Sequence, residues 1–173
     1  MSPAAELRAV RLDDPLAGPL VRELTHEYVS RYGPGGHQEM ARYAPEEFAP
    51  PGGLLLLLLE QGAPVAGGAY RRHDDPGTAE VKRMWTHSAH RRRGLARRVL
   101  AALEAAAAAE GYRRVFLTTG SRQPEARQLY LAAGYTPLFD LDAAPGVLHP
   151  LPFEKNLTDR RPAAPNPRKA LAP

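Results

Sequence analysis

The chain contains no cysteine, so disulfide frameworks, thiolate zinc sites and a cysteine nucleophile are excluded, and an intracellular setting is permitted. Aromatic residues are few, with one Trp, seven Tyr and four Phe. None of them interleaves with the densest run of arginines, as a stacking platform for nucleic-acid bases would require. Long apolar runs are also missing: Leu54 to Leu59 is far short of the ~20 residues of a membrane helix. Glu6, Arg8 and Arg11 interrupt the stretch where a secretory signal would carry its apolar core, so a cytoplasmic protein is expected. There is no acidic excess. The 23 Lys and Arg against 19 Asp and Glu leave a net charge of +4, which suits nucleic acid, an anionic membrane surface or a phosphate-rich ligand. Arg91, Arg92, Arg93, Arg97 and Arg98 crowd around Gly94, so the charge points to a local anion site.

At 173 residues the chain is long enough for one domain with its own core, expected over residues 1–157. Beyond that, proline, alanine and basic residues leave little to bury, and 158–173 reads as a disordered tail. Leu7, Val10 and Leu12 predict a short first strand. Asp14 before Pro15 is a helix start, and Leu16, Leu20, Leu24 and Tyr28 recur at helical spacing as far as the Gly33-Pro34-Gly35-Gly36 stop. From Gly33 to Gly53 the chain reads as irregular, with at most one short helix near Pro45 to Phe48. Glycines bracket Leu54–Leu59, which favours a buried strand. Val65–Arg72 and Thr78–His87 follow it across turn-forming residues as antiparallel strands. Helix and strand then alternate: Gly94–Glu110, Val115–Thr119, Pro124–Ala133, Tyr135–Phe139 and a last strand Leu151–Leu157. The fold class is therefore α/β (α+β), a mixed sheet whose parallel portion is fed by crossover helices.

The segment Arg91-Arg92-Arg93-Gly94-Leu95-Ala96 lies between a predicted strand and a predicted long helix. Successive backbone N–H groups at such a junction face one concavity, a cradle for a diphosphate. Glycine at 94 lets the backbone approach the ligand, Ala96 keeps the first turn free of bulk, and the arginines add charge-assisted contacts. A solvated basic helix start would carry the same residues. Strand alternation places Glu80, Lys82, Met84 and Thr86 on one face and Val81, Arg83 and Trp85 on the other.

Three segments in order, Glu80 to His90, Arg91 to Ala96 and Leu129 to Tyr135, resemble the GNAT family of acetyl-CoA-dependent N-acetyltransferases. The resemblance runs from the first strand through Leu157 and implies a strongly twisted sheet of about six to seven strands, flanked by about four helices. In that fold strands 4 and 5 splay into a V that takes the pantetheine arm. It implies that acetyl-CoA is the co-substrate, with pantetheine along Met84, Trp85 and Thr86 and pyrophosphate among Arg91, Arg92, Arg93, Gly94, Leu95, Ala96 and Arg97. Gln123 stands where the family often has an asparagine touching the cofactor arm, and could instead cap the following helix.

The resemblance also implies catalytic roles. Tyr130 matches a tyrosine whose hydroxyl supports the leaving thiolate as general acid, or it packs on the sheet. Glu80 matches a carboxylate that takes the amine proton, or it forms an ion pair with Lys82. An alkylamine with a pKa of ~10 must lose that proton before it attacks.

The implied function is direct acetyl transfer to an amine of a small molecule or a protein in a ternary complex. Two alternatives are a non-catalytic acetyl-CoA sensor and a polyanion- or nucleic-acid-binding module. No membrane partner is expected, and a homodimer is open. His87 and His90 lack a third ligand of good spacing, so no metal is expected. Acceptor selection is expected from the first helix, the loop 31–51 and the turn 143–150, with Tyr28, Tyr32, Glu39, Arg42, Tyr43 and Glu46 as contacts. His26, His37, His73 and His149 have no pattern behind them.

Overall fold

A computed structural model describes residues 4–143 and 150–158. The expected tail from 159 onward, His149 and most of the turn 143–150 lie outside the described residues. Seven strands form one mixed sheet in the order β1-β2-β3-β4-β5-β7-β6. They are β1 (Glu6–Ala9), β2 (Leu54–Glu60), β3 (Ala63–Arg72), β4 (Thr78–Thr86), β5 (Arg114–Thr119), β6 (Thr136–Pro137) and β7 (Leu151–Asn156). The helices are α1 (Gly18–Tyr32), α2 (Gly35–Ala41), α3 (Leu95–Glu110) and α4 (Pro124–Ala132). Among the described residues no helix is long and apolar enough to cross a membrane.

The leucine run is continuous because β2 is covered on both faces. Leu55, Leu57 and Leu59 pack with Leu20, Leu24 and Phe48 on the α1 side, while Leu58 packs with Val99 and Leu103 of α3 on the other. Each such leucine contributes about 2 kcal/mol by leaving water, which overrides its helical preference. Helix α3 presents Leu95, Val99, Leu100, Leu103 and Ala107 inward at helical spacing and stops at Gly111, whose φ of 101° releases the chain into β5. Asp14 caps the start as read from sequence, its carboxylate accepting from the Leu16 N–H at 2.9 Å, but the turn it opens, Pro15–Ala17, is a 3-10 turn leading into α1.

Three expectations need correction. The stretch after Gly33 holds a helix where none was expected: α2 occupies Gly35–Ala41, while the short helix expected near Pro45 to Phe48 is present as a 3-10 turn. Two glycines hid the helix. Gly36 sits on the backbone of Tyr28 and Val29, where a Cβ would come within 2.6 Å, so close packing on α1 outweighs poor helical propensity. β1 ends at Ala9 and β6 is reduced to two residues, since pairing with β2 and β7 decides where each ends.

The third correction concerns β4. Gly67 pairs with Trp85 and Ala69 with Lys82, so Gly68 alone faces both Arg83 and Met84, and Arg83 takes a left-handed φ of 61°. This bulge breaks the two-residue alternation. Val81 and Met84 pack toward α3, whereas Trp85 joins the cluster under α1. Glu80 and Met84 therefore do not share a face.

Candidate active site

β4 and β5 run parallel and are paired only from Thr78–Arg114 to Glu80–Phe116. Beyond Glu80 they diverge, while the other edge of β5 stays paired with β7 from Arg114 to Thr119. The gap opens into a cleft of about 1010 Å³. It is lined by β4 from Val81 to Thr86, the turn Arg91–Arg97, the end of β5 through Gly120, α4 from Glu125 to Tyr130, and α1 and α2 across from them. The backbone of β4 is unpaired on this side, an edge that an extended ligand can join.

At the turn, Gly94 has φ 72° and nothing within 4 Å of where a Cβ would stand. The first helical bond of α3 is Arg98 N–H to Gly94 O at 3.2 Å. The amides of Leu95, Ala96 and Arg97 therefore lie in the first turn, ahead of any i−4 partner, at the positive end of a 16-residue helix. Arg91, Arg92, Arg93, Gly94 and Arg97 are exposed, Ala96 is partly so, and Leu95 alone is buried, anchoring the turn in the core.

The arginines are not equivalent. Arg93 is bound to Glu60 (3.2 Å from Nη1) and to His90 Nδ1 (2.9 Å), and Arg97 donates to Ala132 O at 3.1 Å. Arg91 and Arg92 have no ion pair among the described residues, and Arg92 takes a left-handed φ of 62°.

Tyr130 projects from α4 into the floor of the cleft. Its ring packs on Tyr135 and Phe153, with centroids 5.6 and 5.7 Å away. Burial pushes its hydroxyl well above the usual tyrosine range, helped by nearby Tyr28, so it stays protonated. Tyr28, on the opposite wall, is pushed up to about 12 by burial, partly offset by Arg83. Gln123 lines the cleft but does not cap α4. Its Oε1 accepts from Gly120 N–H at 3.1 Å and from Thr119 Oγ1 at 3.2 Å, because the left-over donors at the end of β5 are nearer than the helix start.

Glu80 lies behind the cleft rather than on it, 5% exposed, with its carboxylate 2.7 Å from Arg71. Arg71 also holds Glu47 at 2.9 Å, while Lys82 is 4.0 Å from Glu80 and nearer Glu39, at 3.3 Å. The Lys82 pair expected from strand spacing is thus kept at the outer limit of an ion pair, and the shorter partner of Glu80 comes from β3. Trp85 borders the cleft, but its indole sits in the α1 core and donates to Glu23 at 3.0 Å. Burial pushes the Glu23 carboxyl up, but bonds from Ser88 and Trp85 outweigh it and hold the group below the usual range.

Of the expected acceptor contacts, Tyr28, Tyr32, Glu39 and Arg42 line the cleft, whereas Tyr43 and Glu46 do not. Glu27, Arg31 and Arg83 line it without having been singled out. Helical spacing from Tyr28 and Leu24 could have flagged the first two, but nothing short of the bulge flags Arg83. Arg31 ties α1 across the opening, donating to Arg122 O at 2.7 Å and Glu125 at 2.6 Å. His87 and His90 meet edge to face at 5.4 Å, and no group of three or more His, Asp or Glu placed to hold a metal ion occurs among the described residues.

Comparison with known proteins agrees with this geometry. The acetyltransferase (GNAT) family model matches residues 20–135. The fold is similar to that of the PaiA N-acetyltransferase of Thermoplasma acidophilum, solved in complex with coenzyme A. That chain is 13% identical, with TM-score 0.69, covering 88% of this chain and 99% of that one. It is also similar to an aminoglycoside 6'-acetyltransferase type Ii, at 20% identity and TM-score 0.68, with 90% and 99% covered. An acetyltransferase of Streptococcus agalactiae is 19% identical at TM-score 0.66, with 88% and 98% covered. No curated protein sequence matches significantly.

Proposed function

Because the chain belongs to the GNAT acetyltransferase family, we propose that it binds acetyl-CoA in the β4–β5 splay and transfers the acetyl group to an amine by direct attack in a ternary complex. The observation that carries this reading is the open helix start at one end of the splay, with the amides of Leu95, Ala96 and Arg97 ahead of the helical ladder and cationic Arg91 and Arg92 beside them. Such a junction suits a pyrophosphate, since it supplies oriented donors and a helix dipole without ordering new backbone. The unpaired edge of Met84, Trp85 and Thr86 offers backbone hydrogen bonds to the amides of a pantetheine arm, and Gln123 stands beside its path.

Bound there, acetyl-CoA supplies a thioester carbonyl to an amine entering from the α1 and α2 side. Tyr130 donates its proton, or a hydrogen bond, to the departing sulfur. The leaving thiol has a pKa of ~8.5, so a hydroxyl that remains protonated can stabilise the developing thiolate. Tyr130 lines the cleft with its ring fixed by two aromatics. The incoming amine must shed a proton to a carboxylate in reach. Glu80 is turned to Arg71, so its part is to hold Arg71 and Lys82 in place; Glu39, on the cleft wall and hydrogen-bonded to Lys82, is the proton acceptor. With no cysteine in the chain, attack is direct rather than through a cysteinyl acyl-enzyme.

Titration calorimetry with acetyl-CoA tests the cradle. Aspartate is among the few residues that tolerate the left-handed region, so Gly94→Asp keeps the turn while placing a carboxylate in it. Wild-type binding at about micromolar Kd should weaken at least ~100-fold, roughly 2.7 kcal/mol. Equal binding by both proteins would remove the cradle from the mechanism.

A further inference from the structure

Arg83 fits neither of the demands its position makes. A left-handed φ of 61° at a bulge is the place for glycine, and for another residue it costs about 1 kcal/mol. An environment that leaves only 1% of the residue exposed is the place for an apolar side chain. Nη2 donates to Glu39 O (3.0 Å) and Met40 O (3.2 Å) at the end of α2. Nε and Nη1 are buried with no partner, and the guanidinium lies 5.4 Å from the Phe48 ring centroid. Every other cation on the acceptor side of the cleft has a carboxylate: Arg31 has Glu27 and Glu125, and Arg42 and Lys82 have Glu39. Among the described residues Arg83 has two backbone carbonyls and the Phe48 ring but no carboxylate. A buried cation without an anion is destabilising, and this one borders the cleft one residue from the strand edge proposed to bond the pantetheine arm.

Resting on the acetyl-transfer reading, we propose that Arg83 is the anchor for a carboxylate on the acceptor, which makes the substrate a small amine that also bears a carboxylate, such as an amino acid. Nε and Nη1 keep N–H groups that no protein acceptor meets, and a carboxylate bonded to either makes a charge-assisted hydrogen bond to a guanidinium that has no other anion. The carboxylate enters between α2 and β4. Arg83 itself holds the Glu39–Met40 end of α2, away from the Gly36 contact with α1, so the carboxylate displaces a terminal turn rather than the whole helix. Excluded from water, the ion pair there is stronger than the same pair at the surface. The net charge of this wall agrees, with Arg31, Arg42, Lys82 and Arg83 against Glu27 and Glu39.

The test measures acetyl transfer from acetyl-CoA to a panel of free L-amino acids and to the same compounds as C-terminal amides. The free carboxylates should show at least ~10-fold higher kcat/KM, mostly through KM. Arg83→Met, close in volume and suited to burial, should lose that preference while retaining transfer to the amides within about threefold; Arg83→Lys should retain part of it. An equal rate for both series in the wild type, or the preference surviving in Arg83→Met, overturns the proposal. Thermal shift of the wild type with each series, without acetyl-CoA, keeps the question decidable if the variants do not fold. Protection by free carboxylates over amides supports Arg83 as anchor, and its absence counts against it. Calorimetry with acetyl-CoA on the same wild-type sample separates the two ideas, because loss of cofactor binding removes the acetyl-transfer reading while the thermal shift still reports on Arg83.

Discussion

The turn from Arg91 to Arg97 and the wall made by α1, α2 and β4 border the same cleft but are constructed differently. The turn is one continuous stretch whose working groups are backbone amides, set by Gly94 and by the first turn of α3. The wall gathers side chains from three separate elements, Glu27 and Tyr28, Glu39, and Lys82 and Arg83, and fixes them by ion pairs and by a bulge. Under the proposed function the turn has only to grip an anion, whatever else the ligand carries. The wall needs selectivity, which depends on which charges are paired and which are left over.

That contrast predicts that side-chain changes on the floor and the wall have large effects and single arginine changes on the turn have small ones. Tyr130→Phe should lower kcat about 100-fold with the acetyl-CoA Kd unchanged, as removal of a positioned acid does. Its raised pKa means the wild-type rate should show no downturn from this group below pH ~10, the ordinary tyrosine value. Pre-steady-state and pH-rate measurements check both, and an unaltered kcat would leave Tyr130 as packing alone. Glu80→Gln removes one of the two carboxylates on Arg71, so stability should fall by about 2 kcal/mol, read as a Tm lowered by roughly 5 °C, because Glu47 still holds the guanidinium. A much larger loss of kcat than of stability would instead give Glu80 a direct part in the reaction. Arg92→Ala should raise the acetyl-CoA Kd only about fivefold, and less at high salt, since the amides remain. A hundredfold rise would erase the distinction between turn and wall.

Much of the frame could be read before any coordinates. Strand-turn-strand punctuation at Gln61-Gly62 and Asp74–Gly77, the glycine stops at 111 and 134, and the Arg-rich junction all act within a few residues, so their meaning is local. α2 was hidden because its glycines are explained only by contact with α1. The bulge at Arg83 was hidden because register depends on Gly68 of the neighbouring strand.

Residue order along the chain thus set the seven-stranded plan, the open start of α3 at Gly94 and the position of Tyr130 on α4. Only the folded molecule decided that Glu80 turns to Arg71, that Gln123 serves the end of β5, and that Arg83 is buried beside the cleft with donors to spare. The reason is range. Backbone conformation follows from neighbours three or four positions away, whereas the partner of a charge is whichever group the sheet and helices bring within about 3 Å, however distant in sequence.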